Sequence, residues 1–168
     1  MKALQDLIWE KNKVLFKGQK IHDVLITPKK QITDERGKIM HIMKSTDLAF
    51  QKFGEVYVSC GYPGVVKAWH IHTRMTINDC CIKGMIKLVI YDCRKESPTY
   101  GNLMEINMGE DNYCSVKIPP GLANGYKAYG SELAYLINCA DLPHEKEELI
   151  YIDPFENDIP YDWELKHG

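Results

Sequence analysis

Gly64-Val65-Val66-Lys67-Ala68-Trp69-His70-Ile71-His72, running on through Ile77 to Gly84, says most about how this chain folds. Its β-branched and aromatic residues predict a strand over 65–71 and another over Ile77–Lys83, with Gly64 and Gly84 as punctuation. Residues two apart on a strand share a face. His70 and His72 therefore point the same way, and Trp69 points to the opposite, packing side. By the same alternation Ile77 opposes Thr76 and Asn78, either of which lines a cavity only if the register shifts by one.

Similar short runs recur on both sides of this segment. They cover Asp23–Ile26, Lys38–Met43, Glu55–Cys60, Ile86–Tyr91, Leu103–Asn107, Tyr113–Ile118 and Leu133–Cys139, with Gly and Pro between them. Many short strands at this spacing predict an all-β sandwich or barrel. Helical signal is confined to residues 2–12, with a turn near Thr46–Gln51. The 168 residues, 45% of them hydrophobic, fit one domain with a sizeable core.

Charge excludes some functions. With 21 basic and 23 acidic residues the net charge is −2, without the basic excess of a nucleic-acid binder. No apolar run reaches the roughly 20 residues of a membrane span. The N-terminus mixes charges into its apolar residues, unlike a signal peptide. The expectation is a cytoplasmic protein with no membrane or nucleic-acid partner. Six cysteines without CxxC spacing read as buried thiols. His22, His41, His144 and His167 carry no motif, and His144-Glu145-Lys146-Glu147-Glu148 reads as a solvated loop.

The segment from Gly64 to Gly84 resembles the first cupin motif: Gly, five residues, His-x-His, four residues, Glu, six residues, Gly, with Ile77 in the Glu position. Pro119-Pro120-Gly121-Leu122-Ala123-Asn124 resembles the second, with Asn124 in the His position. The double match implies a cupin-type double-stranded β-helix, a jelly-roll barrel with little helix. One such domain spans 1–168, with its core at about 20–163. Two imidazoles fall short of the three protein ligands usual in a catalytic metal site, so no metal or other cofactor is expected.

Further landmarks resemble the dTDP-4-dehydrorhamnose 3,5-epimerase family of metal-free cupins. They are Asp34-Glu35-Arg36-Gly37, Lys67-Ala68-Trp69-His70, Tyr91-Asp92-Cys93-Arg94, Ser97-Pro98-Thr99-Tyr100-Gly101, Ile118-Pro119-Pro120-Gly121 and Asn124-Gly125-Tyr126. The resemblance implies a nucleotide-sugar substrate and a homodimer that exchanges N-terminal strands. It implies His70 as base and Arg36, Lys67 and Asn124 at the substrate, Arg36 in the neighbouring subunit's site. Lys127 is a candidate phosphate ligand. The family's lysine falls near Ile77, its tyrosine acid near Ile137 and its second histidine at Asn124. Its supporting aspartate lies beyond Tyr161-Asp162-Trp163. Tyr135, two residues before Ile137, is the candidate displaced acid.

Three functions follow. The first is an epimerase or isomerase of a nucleotide-linked 4-keto sugar in polysaccharide or deoxysugar biosynthesis, using His70 with His72 or Tyr135. The second is a sugar-nucleotide or carbohydrate binding module that kept the pocket. The third draws on a resemblance of Lys67–His72 to the R-G-x-H-x-H segment of nucleotide-sugar 3,4-ketoisomerases, with His70 and His72 both working. A metal-dependent cupin enzyme ranks behind these.

Overall fold

The computed structural model describes residues 16–164, so the helix expected at 2–12 and His167 lie outside the described residues. Thirteen strands run in chain order: β1 (Phe16–Gly18), β2 (Leu25–Pro28), β3 (Gln31–Asp34), β4 (Gly37–Met40), β5 (Glu55–Gly61), β6 (Val66–His72), β7 (Ile77–Lys83), β8 (Met85–Asp92), β9 (Leu103–Gly109), β10 (Cys114–Ile118), β11 (Leu122–Tyr129), β12 (Ala134–Ala140) and β13 (Leu149–Tyr151). The described helix is one turn of 3₁₀ over Lys146–Glu148. None of the described helices is long and apolar enough to cross a membrane.

The strands form a six-stranded sheet, β1-β9-β8-β11-β6-β13, and a five-stranded sheet, β2-β10-β7-β12-β5, with β3 and β4 as a separate hairpin. Every described pairing is antiparallel. The expected all-β, cupin-type jelly roll is the observed architecture. Alternation along each strand sends one set of side chains between the sheets. There Ile86, Leu88 and Ile90 of β8 meet Ile26, Val116, Ile118 and Leu136 in the main core.

A second cluster lies on the outer face of the six-stranded sheet. Trp69, fully buried, packs against Trp163 and Tyr161 with ring centroids 4.9 and 6.1 Å away. The Tyr161 hydroxyl donates to Glu105 Oε2 at 2.6 Å. The C-terminal segment is thus strapped over the back of β6, and Trp69 faces the packing side, as alternation predicted.

The Tyr91–Gly101 motif is structural. The Asp92 carboxylate, fully buried, accepts from Arg94, Ser97 Oγ and Thr99 Oγ1. Arg94 and Thr99 also bond to the backbone of His22, tying down the chain before β2. Burial raises this carboxyl, but those donors outweigh it and hold it far below the ordinary carboxylate range.

Sequence patterning passed over β1, β3, β11 and β13. β11 carries Asn124, Gly125 and Lys127, all poor strand formers, yet it sits between β8 and β6. Pairing on both edges overrides propensity there. The thiols are all free, and Cys60 is exposed rather than buried because it lies on the edge strand β5.

Candidate active site

A cavity of about 300 Å³ opens between the two sheets. β6 and β11 of the six-stranded sheet supply Lys67, His70, His72, Asn124 and Tyr126. β5, β7 and β12 of the five-stranded sheet supply Tyr57, Ser59, Asp79 and Asn138 opposite them. Ile77 and Leu136 add apolar lining, so β7 keeps the register read from sequence. Asn78 faces a different hollow, beside Phe53 and Ile137.

Strict alternation along β6 would send Lys67 to the same side as Trp69. A β-bulge prevents this. Asn124 pairs with His70 and Tyr126 pairs with Lys67, so Gly125 alone stands opposite both Ala68 and Trp69. The extra residue turns Lys67 back into the cavity. Its ammonium donates to Ser59 Oγ and to the Cys60 carbonyl, each at 2.9 Å, and Ser59 Oγ lies 2.8 Å from the Tyr126 hydroxyl. This cationic cluster can meet an anionic oxygen.

The two histidines have different surroundings. The His70 ring packs edge-on to Tyr151 at 5.2 Å and makes no side-chain hydrogen bond to a described residue. Burial, followed by the charges of His72 and Lys67, pushes its imidazole down to about 4. It is therefore neutral at pH 7 and able to accept a proton. His72 Nδ1 donates to Glu148 Oε2 at 2.8 Å. Glu148 Oε1 accepts from the backbone N–H groups of Arg74 and Met75, at 3.0 and 2.8 Å. Burial raises the Glu148 carboxyl, but His72 and the two N–H groups outweigh it, leaving it below its usual value. A fixed, ionised carboxylate thus sets the His72 tautomer and leaves Nε2 as the free nitrogen.

Glu148 corrects the reading of residues 144–148 as a solvated loop, since it is only 1% exposed. β13 pairs with β6 so that Leu149 opposes His72, which brings Glu148 beside it. Nothing in the local sequence signals a contact across 76 positions. Of the two imidazoles, His72 is the one bonded to a carboxylate among the described residues. A neighbouring hollow shares Tyr57, His70 and His72 with this cavity and is also lined by Glu55, His144 and Tyr151, so His144 lies near the site without having had a motif.

Other expected site residues lie elsewhere. Tyr135 alternates with Leu136 and Asn138 on β12 and is not among the cavity residues; its ring stands 5.8 Å from the Lys83 ammonium. Lys127 Nζ donates to the Trp163 carbonyl at 2.8 Å, holding the C-terminal strap instead of a phosphate. Arg36 sits exposed at the tip of the β3–β4 hairpin and bonds Asp34, outside this cavity. Asn124 lines the cavity, with its amide nitrogen turned to the His70 and Leu122 carbonyls. Among the described residues, no group of three or more His, Cys, Asp or Glu is disposed to hold a metal ion.

Asp79 is a further group that sequence reading missed. It is 4% exposed, and its Oδ1 is buried without a hydrogen-bond partner. Burial alone pushes its carboxyl up to about 7.

A family model described as dTDP-4-dehydrorhamnose 3,5-epimerase matches residues 18–167. The probable low-salt glycan biosynthesis epimerase Agl13 of Haloferax volcanii is 38% identical over 144 residues, 84% of this chain and 89% of that protein. The spore coat polysaccharide biosynthesis protein SpsL of Bacillus subtilis is 31% identical over 130 residues, covering 77% and 83%. The crystal structure of a dTDP sugar isomerase from Desulfovibrio desulfuricans G20 superposes with a TM-score of 0.83 at 35% identity, covering 85% of this chain and 92% of that one.

Proposed function

Because the chain belongs to the dTDP-4-dehydrorhamnose 3,5-epimerase family, we propose that it is an epimerase of a nucleotide-linked 4-keto sugar in polysaccharide or deoxysugar biosynthesis. The observation that carries this reading is a neutral His70, without a side-chain hydrogen bond among the described residues, beside a carboxylate-held His72 in one cavity. A hydrogen on a carbon next to a ketone is acidic enough for a positioned imidazole to remove. His70 takes that proton, and the electron pair moves onto the ketone oxygen as an enolate. Lys67, with Ser59 and Tyr126, meets the developing charge, which is the largest single contribution in many such reactions. Walls from both sheets keep bulk water from quenching it.

The protein works as one domain over residues 1–168, with its core at about 20–163, and in the cytoplasm. It forms a homodimer in which the β3–β4 hairpin carries Arg36 to the neighbouring subunit's cavity. An exposed Arg36 on a projecting hairpin supports this. So does the open edge strand β5, where Val56 and Val58 are 51% and 50% exposed, since an uncovered apolar edge invites pairing.

A second reading, 3,4-ketoisomerisation, is favoured by one observation: His72 is held for chemistry on the same wall as His70. Two bases on one face can pass a proton between adjacent carbons through an enediol. The test is NMR in D₂O with dTDP-, UDP-, GDP- and CDP-linked 4-keto sugars. Deuterium entering at C3 or C5 with inversion is the expected result, and His72→Asn should slow it only modestly. A 3-keto product, abolished in His72→Asn, would replace epimerisation with ketoisomerisation. Binding without exchange in every sugar would make the protein a binding module.

A further inference from the structure

We propose that Asp79 is the acid that delivers the second proton, from the face of the sugar opposite His70. This rests on the epimerase reading above. Inversion at a carbon requires proton removal on one face and return on the other; a single base returns the proton where it took it. His70 projects from the six-stranded sheet and Asp79 from the five-stranded sheet, and both line the same cavity. A sugar ring lying between the sheets therefore has His70 on one face and the wall of Tyr57, Ser59, Asp79 and Asn138 on the other.

Of those four, Ser59 and Asn138 are too weakly acidic to protonate an enolate carbon at neutral pH. The Tyr57 hydroxyl accepts from Asn138 Nδ2 at 3.0 Å and is pushed up to about 12, burial being the main cause. Asp79 is better matched to neutral pH. An ionised carboxylate without a partner is costly to bury, so the proton stays on. Asn138, its cross-strand partner, also has an unpartnered buried acceptor, Oδ1. A proton on Asp79 is the donor this wall lacks.

The step balances. His70 removes the carbon-bound proton and becomes imidazolium, and the C–H electron pair forms the enolate. The enolate collapses, its carbon takes the Asp79 proton, and Asp79 becomes carboxylate. Water returns a proton to Asp79 and accepts one from His70, so no proton is gained or lost overall.

The test separates exchange from inversion. Wild-type protein in D₂O with its 4-keto substrate should give deuterated, inverted product. Asp79→Asn keeps the size and loses the acid. Its His70 still removes the proton and returns deuterium from the same face. Exchange with retained configuration should persist, while inversion falls by about 10²-fold or more. Asp79→Ser should give the same split if the asparagine variant folds poorly, and unchanged nucleotide binding reports an intact cavity. Inversion at the wild-type rate, or equal loss of exchange and inversion in a folded variant, overturns the assignment of Asp79 while the epimerase reading stands. No exchange by wild-type protein in any 4-keto sugar overturns both.

Discussion

His70, half-buried, and Asp79, buried, face one cavity between the same two sheets, and burial moves them in opposite directions. Each prefers to be neutral. Between about pH 4 and 6.5 the unfolded chain holds a proton on this imidazole that the folded chain does not, so His70 makes stability rise with pH. Asp79 keeps its proton in the folded chain from 3.8 up to about 7, so its contribution is full below 3.8 and is lost as pH rises. The slopes oppose each other over a shared window. Relative to wild type, Asp79→Asn should gain stability from pH 4 to 6.5, and His70→Asn should lose it. Urea unfolding across that range reads both, and two curves parallel to wild type would contradict the assigned burial. His70 was legible because strand alternation and motif spacing agree on it. Asp79 was not, because an aspartate inside an apolar strand carries no sign that its neighbours leave it unpaired.

At the scale of the element, the bulge between β6 and β11 does what alternation cannot: it puts Lys67 and His70, an odd number of residues apart, on one face. Gly125 makes this fit. A Cβ there would lie 2.2 Å from the Ala68 Cβ and 2.9 Å from the Lys67 carbonyl. Gly125→Ala should therefore cost about 1–3 kcal/mol by overpacking. A lower urea midpoint at unchanged slope measures it, and a loss under roughly 0.5 kcal/mol, the range of a neutral surface change, would mean that the bulge is not tight. The bounds of β7, Ile77–Lys83, were legible to the residue from its β-branched and apolar run and the Gly84 stop. β11 was not, because tertiary pairing sustains it. Glu148 was hidden for a related reason, since only the β13–β6 register brings it to His72.

At the scale of the molecule, the site strand is held from behind. Trp69 backs His70 and is covered by Tyr161 and Trp163, while Lys127 secures the Trp163 carbonyl. Trp163→Ala should cost about 3–5 kcal/mol, as for other buried tryptophans. A urea midpoint within error of wild type would mean that the strap is ornamental to stability. The barrel itself was readable from strand spacing and two motif halves. The strap was not, since no period in residues 152–164 marks them as packed on a sheet.

Proton removal by His70 beside a sugar ketone is tested by comparing deuterium uptake by wild-type and His70→Asn protein. General-base catalysis is worth about 10²–10⁴-fold. Uptake at C3 or C5 should fall by that factor while nucleotide binding stays near the wild-type level. Full uptake by His70→Asn would contradict it.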